Sequence, residues 1–568
     1  MEVGVAWRPS SQLQGAPHAA RPVRPGVSSG DDAAATHLLP PSSATRAPRR
    51  DARSPRGPSK ERGMDRPSAE GRAGAAAGPG ASPDRGGDPD RADPRPLVSA
   101  PLSRRRLLQQ SAGLALAGCP RSGASARRVV VIGAGLAGLS CALELNRKGR
   151  GVQLLEASER VGGRVQTQRI GGLVVELGAT RILAGHDRVH AYADLFGIER
   201  TPVDPDRAGI DLAVVQGQRV APDGAIPGGL TPGEALAWQQ GRLLELYLLP
   251  LMAQLGDPLR PGWPPPDLDA LDRLSLAAYL ASRGASEAAI ALLTLGGLSG
   301  WVDRLGILQH ARHVGLDDLS SPATWLVGGN DALTEALARA LTGSLEVGAA
   351  VREIRVQRNG IARLSIERRG LLSTLEAGVV VAAVPLAALR RIRLVGLSSQ
   401  VRRAIDETHY VEITQSNLSF SSRFWIERGL SGRLRTDRPL QEVWPQAGAP
   451  RADPRGILTN STTGQAAIEL GAMGEAERGT FLHEQLVMAF GGPVPEPTLL
   501  STRAWHLDAL IGGGWPVFGP GQGWIQRRLQ QPDGPLWLAG DHASPWPGWM
   551  QGALYSGERV AQRILAEA

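Results

Sequence analysis

The stretch from Arg128 to Leu145 limits the possible folds more than any other. It reads Val-Val-Val-Ile, then Gly133-Ala-Gly135-Leu136-Ala137-Gly138, then an apolar helix-forming run. Val129–Ile132 is short and mostly β-branched, right for a buried parallel strand. The glycine spacing after it is that of a strand–turn–helix unit that takes a pyrophosphate. Gly133 makes the tight turn, Gly135 lets the phosphates approach the backbone, and Gly138 lets the helix lie close on the sheet. The N–H groups at the helix N-terminus, at Leu136 and Ala137, then face the phosphates. A second strand, Val152–Leu155, ends in Glu156, about 20 residues on, where an acid binds a ribose hydroxyl. These residues predict an α/β domain that holds a dinucleotide.

After Glu156 the chain reads Ala-Ser-Glu-Arg160-Val-Gly162-Gly163-Arg164. This run resembles the Arg-x-Gly-Gly-Arg segment of the flavin-containing amine oxidase superfamily, where it lies beside the FAD pyrophosphate. A plain nicotinamide dehydrogenase has no reason to carry it. The likeness is greatest to L-amino-acid oxidases and monoamine oxidases, and it extends over most of 129–568. Gly178-Ala179-Thr180-Arg181 resembles the Gly-x-x-Arg of L-amino-acid oxidases, in which the arginine grips the substrate carboxylate. A guanidinium fork suits a carboxylate through two parallel charge-assisted bonds; the other reading of Arg181 is a pair with a local Asp or Glu. Trp325-Leu-Val-Gly328-Gly329-Asn330 resembles a family Gly-Gly-Met segment with Asn330 in place of the methionine. Val351 lies in a run like the strand whose backbone meets adenine.

The C-terminal match is the strongest. Gly540-Asp541-His542 through Trp549-Met550-Gln-Gly552 resembles the closing flavin motif. The resemblance implies Asp541 at the ribityl or phosphate region, Met550 opening a helix aimed at the isoalloxazine, and Trp549 facing the reactive side of the flavin. Two departures stand out. In relatives a lysine ten residues before the Phe-Trp pair holds a water at flavin N5; here that position is Gln415. Lys60 and Lys148 are the chain's two lysines, so no nearby lysine substitutes. Glutamine can orient a water but brings no positive charge to reduced flavin or to oxygen. Amino-acid oxidases also place a tyrosine near Ser461 as one wall of an aromatic cage.

The net charge of +8 invites a nucleic-acid reading, which its distribution removes. Residues 1–128 hold 21 Lys+Arg and 11 Asp+Glu, leaving 42 and 44 for the other residues, so the folded part is nearly neutral. Its two cysteines, Cys119 and Cys141, offer neither a disulfide framework nor a thiolate metal cluster, and no metal is expected. Both lie far from the C-terminal segment where some relatives attach flavin, which implies non-covalent FAD. Residues 1–102 are rich in Pro, Ala, Gly and Arg and read as a disordered leader. Ser103-Arg-Arg-Arg-Leu-Leu-Gln resembles a twin-arginine export signal, a route that carries proteins already folded around a cofactor. Leu116-Ala-Gly-Cys119 resembles a lipobox. Together they imply a bacterial envelope protein anchored by lipid at Cys119; a basic leader that mimics a signal by chance is the other reading, with a cytoplasmic location.

The expected architecture is the two-lobed α/β fold of the FAD-dependent amine oxidases. An FAD-binding domain is built from 129–170, 325–408 and 530–568, and a mixed-sheet substrate domain from 171–205 and 409–529. Residues 206–324 form a helical insertion that caps or oligomerises the molecule, a homodimer being one arrangement. His310 and His313, which fall in it, are read as packing or surface residues. The implied reaction is oxidation of an L-amino acid to the imine by hydride transfer to flavin N5. Arg181, Trp549 and Gln415 serve as the catalytic residues, and oxygen or an envelope electron acceptor reoxidises the flavin. The rivals are an amine or polyamine oxidase, an envelope amine dehydrogenase, and a FAD-binding accessory protein without turnover. An export signal a hundred residues inside a chain would not ordinarily be read, so translation is expected to start downstream, near Val98 or Leu102. N-terminal sequencing or intact mass of the native protein checks this; a peptide from 1–95 would refute it.

Overall fold

In the computed structural model, Val129–Ile132 is the middle strand of a five-stranded, all-parallel sheet. The order across it is Leu536–Leu538, Val379–Ala382, Val129–Ile132, Val152–Leu155, Leu345–Glu346. The structure describes residues 128–567 apart from 204–208, 221–226, 318–322, 447 and 449–452. The leader and the export-like and lipobox segments, with Cys119, lie outside the described residues.

All four side chains of the middle strand are buried, and strand alternation sends them to two different layers. Val129 and Val131 pack with the helices Leu136–Arg147, Asp187–Phe196, Asp331–Ala340 and Met550–Ala566. Val130 and Ile132 pack on the opposite face, against a four-stranded sheet (Leu371–Ala377, Ala362–Arg368, Ala349–Val356, Arg393–Val395) and the helices Ser399–Glu407 and Gly523–Leu529. Burial on both faces is why the strand reads as an unbroken apolar run. Cys141, in the first of these helices, is fully buried, and desolvation pushes its thiol up to about 12. It behaves as a small apolar side chain.

The second half is a seven-stranded sheet ordered Thr498–Ala504, Ile413–Phe420, Gly456–Thr463, Glu442–Gln446, Leu430–Thr436, Ile210–Val215, Gln218–Val220. Neighbours are antiparallel except Leu430–Thr436 against Ile210–Val215. One layer packs Phe420, Phe424, Trp425 and Leu434 with Leu482, Leu486 and Phe490 of the helix Glu475–Phe490. The helices Pro232–Gln239, Leu243–Leu255, Leu276–Ser282, Glu287–Leu293 and Ile307–Leu316 form a layer with its own core, including Leu248, Leu251, Tyr279 and Trp301. No described helix is long and apolar enough to cross a membrane.

Three boundaries differ from the sequence expectation. The insertion expected over 206–324 is helical only within Pro232 to Leu316. Ile210–Val215 and Gln218–Val220 are a hairpin on the edge of the seven-stranded sheet, turned by Gln216 and Gly217, both at positive φ (52° and 78°). Thr324–Leu326 pairs with Arg200–Pro202. Within 171–205, Asp187–Phe196 belongs to the nucleotide-binding half, because Val189, Tyr192, Ala193 and Leu195 bury against its helices. Gly523–Leu529, expected in the substrate half, buries Ile525 and Leu529 in the nucleotide-binding half as well.

The helices Leu136–Arg147 and Met550–Ala566 meet closely enough to require a glycine. A Cβ on Gly557 would lie 2.2 Å from both the Ala137 carbonyl oxygen and Ser140 Oγ. Gly557→Val is therefore expected to force the helices apart, costing about 1–3 kcal/mol. Gln562→Val, at an exposed position of the same helix, should stay within about 0.5 kcal/mol. Thermal unfolding of the two variants checks this, and equal effects would refute it.

Candidate active site

The two halves enclose a cavity of about 1020 Å³, at the top of the range of about 300–1,000 Å³ usual for small-molecule sites. Every candidate site residue except Gly138 lines it. Gly138 supports the turn from behind, since a Cβ there would sit 1.8 Å from the Gly133 carbonyl oxygen.

At one end the strand Val129–Ile132 delivers Gly133, with φ +100°, into the turn. Gly135 has nothing within 4 Å of an added Cβ, so its cavity side is open to close approach. It is also the N-cap of the helix Leu136–Arg147 and provides no side-chain cap, which leaves the first N–H groups for a ligand. Glu156 is fixed by the N–H of Ala134 (2.7 Å) and by the N–H and Oγ of Ser158 (2.9 and 2.8 Å). Val351, at a bulge in the strand Ala349–Val356, lines the cavity near it. The Arg160–Arg164 loop folds onto the glycine turn: Gly162 donates to the Ala134 carbonyl at 2.8 Å and pairs with Gly135.

Arg164 crosses the cavity to Asp541. Its Nη2 lies 2.5 Å from Asp541 Oδ1, its Nη1 3.1 Å from Oδ2 and 2.6 Å from the Gly514 carbonyl. Asp541 also accepts from the Gly548 N–H at 2.9 Å. Burial raises the Asp541 carboxyl, but the charge and hydrogen bonds of Arg164 outweigh it and hold the group below the usual carboxylate range. Both carboxylate oxygens thus serve Arg164 and the loop. Gly540, at φ +153°, lies against the ring of the neighbouring His542. Met550 opens the second uncapped helix at the cavity, with Trp549 as its N-cap.

The segment from Glu176 to Arg181 forms another wall, and its position is over-determined. A Cβ on Gly178 would lie 2.1 Å from the Arg164 carbonyl oxygen. Gln415 and Asn417, two residues apart on the strand Ile413–Phe420, both donate to the Glu176 carbonyl (3.0 and 3.1 Å). Gln446 accepts the Glu176 N–H at 3.1 Å, and Asn330 Nδ2 donates to the carbonyls of Ala179 and Thr180 (2.8 and 3.2 Å). The Gln415 side-chain nitrogen is therefore engaged on the protein. The Glu176 side chain is fully buried, and desolvation lifts it to about 8. Arg181 carries no hydrogen bond or ion pair to a described residue; its guanidinium lies over the Trp444 ring, 5.4 Å from the centroid. The nearest acid acting on Arg181 is Glu442, whose charge attracts the guanidinium without a hydrogen bond to it. Arg433, Arg435 and Glu442 line the cavity with it, Arg435 Nε lying 3.3 Å from Glu442 Oε1.

Three residues without a site role in the sequence reading join this wall. His310 and His313 line the cavity rather than serving packing or surface alone, and desolvation brings His310 down to about 3. His313 stacks on Trp549 (centroids 6.0 Å, 16° between planes), with Nδ1 3.0 Å from Oδ2 of Asp317. Asp317 is 1% exposed and also faces His186 at 3.6 Å. The spacing His313…Asp317, four apart on the helix Ile307–Leu316 and its C-cap, was the available signal. Trp444 offered none, lying far in sequence from Arg181. Ser461, where the aromatic wall was sought, pairs across strands with Gln415 and Glu442 and lines the cavity.

Because the native Asp541 carboxyl sits below its unfolded value of about 3.9, its stabilisation is complete above about pH 5 and drains away as pH falls through the lower native value. Asp541→Asn should then cost about 3 kcal/mol at neutral pH, the scale for breaking a buried pair, and the gap from the unsubstituted protein should narrow toward pH 3. Denaturant titrations at pH 7 and pH 3.5 check it; a gap independent of pH would refute the ion-pair role.

The sequence model of flavin-containing amine oxidoreductases matches residues 136–565. The L-tryptophan oxidase RebO of Lentzea aerocolonigenes is 28% identical over 488 residues, covering 78% of this chain and 98% of its own. An L-amino-acid oxidase of Siganus canaliculatus is 27% identical over 78% of this chain and 85% of its own. AofH of Mycobacterium tuberculosis, provisionally named a flavin-containing monoamine oxidase, is 28% identical over 77% and 96%. Among solved structures, wild-type putrescine oxidase with bound putrescine superposes with a TM-score of 0.66 at 22% identity, over 78% of this chain and 99% of that one. Cyclohexylamine oxidase from Brevibacterium oxydans gives 0.64 at 24%, over 78% and 99%. The residues present fit FAD, with an open glycine turn, two uncapped helix N-termini, an acid at the ribose position and a buried His542 Nε2 without a hydrogen-bond partner. The chain belongs to the flavin-containing amine oxidoreductase family and is an FAD-dependent oxidoreductase acting on amines.

Proposed function

We propose that the substrate is an L-amino acid, oxidised at its Cα–N bond to the imine, with oxygen as the oxidant of the reduced cofactor. The observation that carries this reading is Arg181. It is a cation on the cavity wall, attracted by Glu442 but without a hydrogen bond or ion pair to a described residue, on a segment held by four side-chain amides. Glu442 attracts the guanidinium while Arg433 and Arg435 repel it, and a carboxylate that enters with the substrate adds compensation to a desolvated cation. Desolvation already pulls the Arg181 guanidinium below its usual value, an effect that an anion would reverse. Relatives named as L-tryptophan and L-amino-acid oxidases, matched over most of this chain, support the same class.

FAD, when bound, accepts the hydride equivalent from the substrate. The chain's own residues position and prepare that substrate. Gly133–Ala137, Glu156, Arg164, the 178–180 segment, Val351 and the Gly540–Met550 segment would hold the cofactor. Arg181 fixes the carboxylate end, and Trp549 flanks the amine. A bound amino acid enters as an ammonium and must lose a proton before its nitrogen lone pair can assist oxidation. His313 is the candidate to receive that proton: it is on the cavity wall, its Nδ1 lying 3.0 Å from Asp317 Oδ2 and 3.5 Å from the Trp549 indole nitrogen. Gln415 positions the Glu176–Thr180 backbone and brings no charge of its own.

Arg181→Ala should raise KM for an amino acid by about tenfold or more, the scale of charge-assisted hydrogen bonds, while turnover at saturation falls less. Steady-state kinetics of the flavin-loaded enzyme checks this; an unchanged KM would refute the carboxylate role. Anaerobic mixing with a panel of L-amino acids and amines gives an independent reading, with bleaching of the flavin by amino acids expected. Bleaching by amines alone would make the protein an amine oxidase in which Arg181 is structural.

A further inference from the structure

We infer that Trp444 is a positioning residue for the carboxylate-binding arginine: its indole face holds the Arg181 guanidinium so that the edge of the fork is presented to the substrate. This rests on the amino-acid reading given above.

Three observations carry it. The first is the contact itself, with the guanidinium carbon 5.4 Å from the ring centroid and no hydrogen bond or ion pair from Arg181 to a described residue. A guanidinium held over a ring can keep in-plane N–H groups for a carboxylate, so one partner need not displace the other. The second is placement. Trp444 is in the middle of the strand Glu442–Gln446, which is paired on both sides, to Gly456–Thr463 and to Leu430–Thr436. Alternation puts Glu442, Trp444 and Gln446 on one face. Gln446 takes the N–H of Glu176 at 3.1 Å while Trp444 meets Arg181, so one rigid strand fixes both ends of the segment. The Trp444 indole N–H has no hydrogen-bond acceptor among the described residues, so the ring works here through its face. The third is the field. Arg433 and Arg435 repel the Arg181 guanidinium and Glu442 attracts it, and Glu442 is itself engaged by Arg435. A long side chain among these charges has no single position unless something apolar restrains it.

The test uses the flavin-loaded enzyme with Trp444→Leu, Trp444→Phe, Arg181→Ala and the Trp444→Leu/Arg181→Ala double variant. Three quantities are read: KM and kcat for an L-amino acid that reduces the unsubstituted enzyme, and the Kd of benzoate and of uncharged benzamide from the flavin absorbance shift. Trp444→Leu should raise the amino-acid KM and the benzoate Kd about tenfold, as for a desolvated cation–π contact, and change kcat and the benzamide Kd by less than about threefold. Trp444→Phe should recover most of the loss, and the double variant should be no worse than Arg181→Ala. Equal weakening of benzoate and benzamide, additive losses in the double variant, or an unchanged benzoate Kd would overturn the proposal. A failure of the amino-acid reading shows elsewhere, in an unsubstituted enzyme reduced by amines alone or an Arg181→Ala enzyme with unchanged KM. Either result leaves Trp444 nothing to position and overturns this proposal too.

Discussion

The pairing of Arg164 with Asp541 joins residues 377 apart in sequence across a cavity whose walls come from nearly every part of the folded chain. Each partner would be costly alone. Asp541 is 2% exposed, and Arg164 has lost most of its water. Together they satisfy one another in a two-point contact, and the Gly548 N–H takes a further lone pair. The pair ties the glycine turn, through the Arg160–Arg164 loop, to the loop that precedes the helix Met550–Ala566. The helix returns the tie through Gly557 against Ala137. Two uncapped helix N-termini are thereby held toward one cavity, and their dipoles make that region favourable to negative charge. An anionic dinucleotide cofactor is what such a region suits.

The other wall is built by a different principle. The five-stranded sheet is apolar on both faces, whereas the seven-stranded sheet directs Gln415, Asn417 and Gln446 at a single length of backbone. Asn330 reaches the same segment from the far side. Buried amides satisfied on backbone rigidify the piece of chain they hold, because leaving any donor unmatched there costs about 1–3 kcal/mol. Gln415 and Asn330 therefore belong to one network. Both hold the backbone that carries Ala179, Thr180 and Arg181. A lysine at position 415 would bring a charge to this place, whereas the amide of glutamine fits a wall made of amide-to-backbone bonds.

What could be read from the sequence follows from how local each interaction is. The strand–turn–helix at Val129–Arg147 and the next strand, ending before Glu156, were legible in the sequence, because the spacing of Gly133, Gly135 and Gly138 acts within one local unit. The C-terminal motif was legible for the same reason, though the use of Asp541 was not, since its partner lies 377 residues away. The hairpin at 210–220 was taken for part of a helical insertion because its signal is two residues long, Gln216-Gly217, with Gln216 an unusual occupant of a positive-φ position. His313 lay in a region of helical periodicity, where a histidine on its own is more often core or surface than site. Only the fold sets it against Trp549 and gives it Asp317. Trp444 is the least legible, since its role depends on strand pairing that no local pattern around it announces.

These two modes of construction divide the labour of the cavity. The nucleotide end is positive through backbone, with helix termini and glycine turns that few substitutions can alter without unfolding the sheet. The wall around Arg181 is positive through side chains, with Arg181, Arg433 and Arg435 against Glu442. Side chains on strand faces can change one at a time while the pairing of the sheet stays intact. In the present chain the charged side chains Arg433, Arg435 and Glu442 stand on the strands Leu430–Thr436 and Glu442–Gln446. Trp444, on the strand paired with the one that carries Ser461, places its ring against the Arg181 guanidinium.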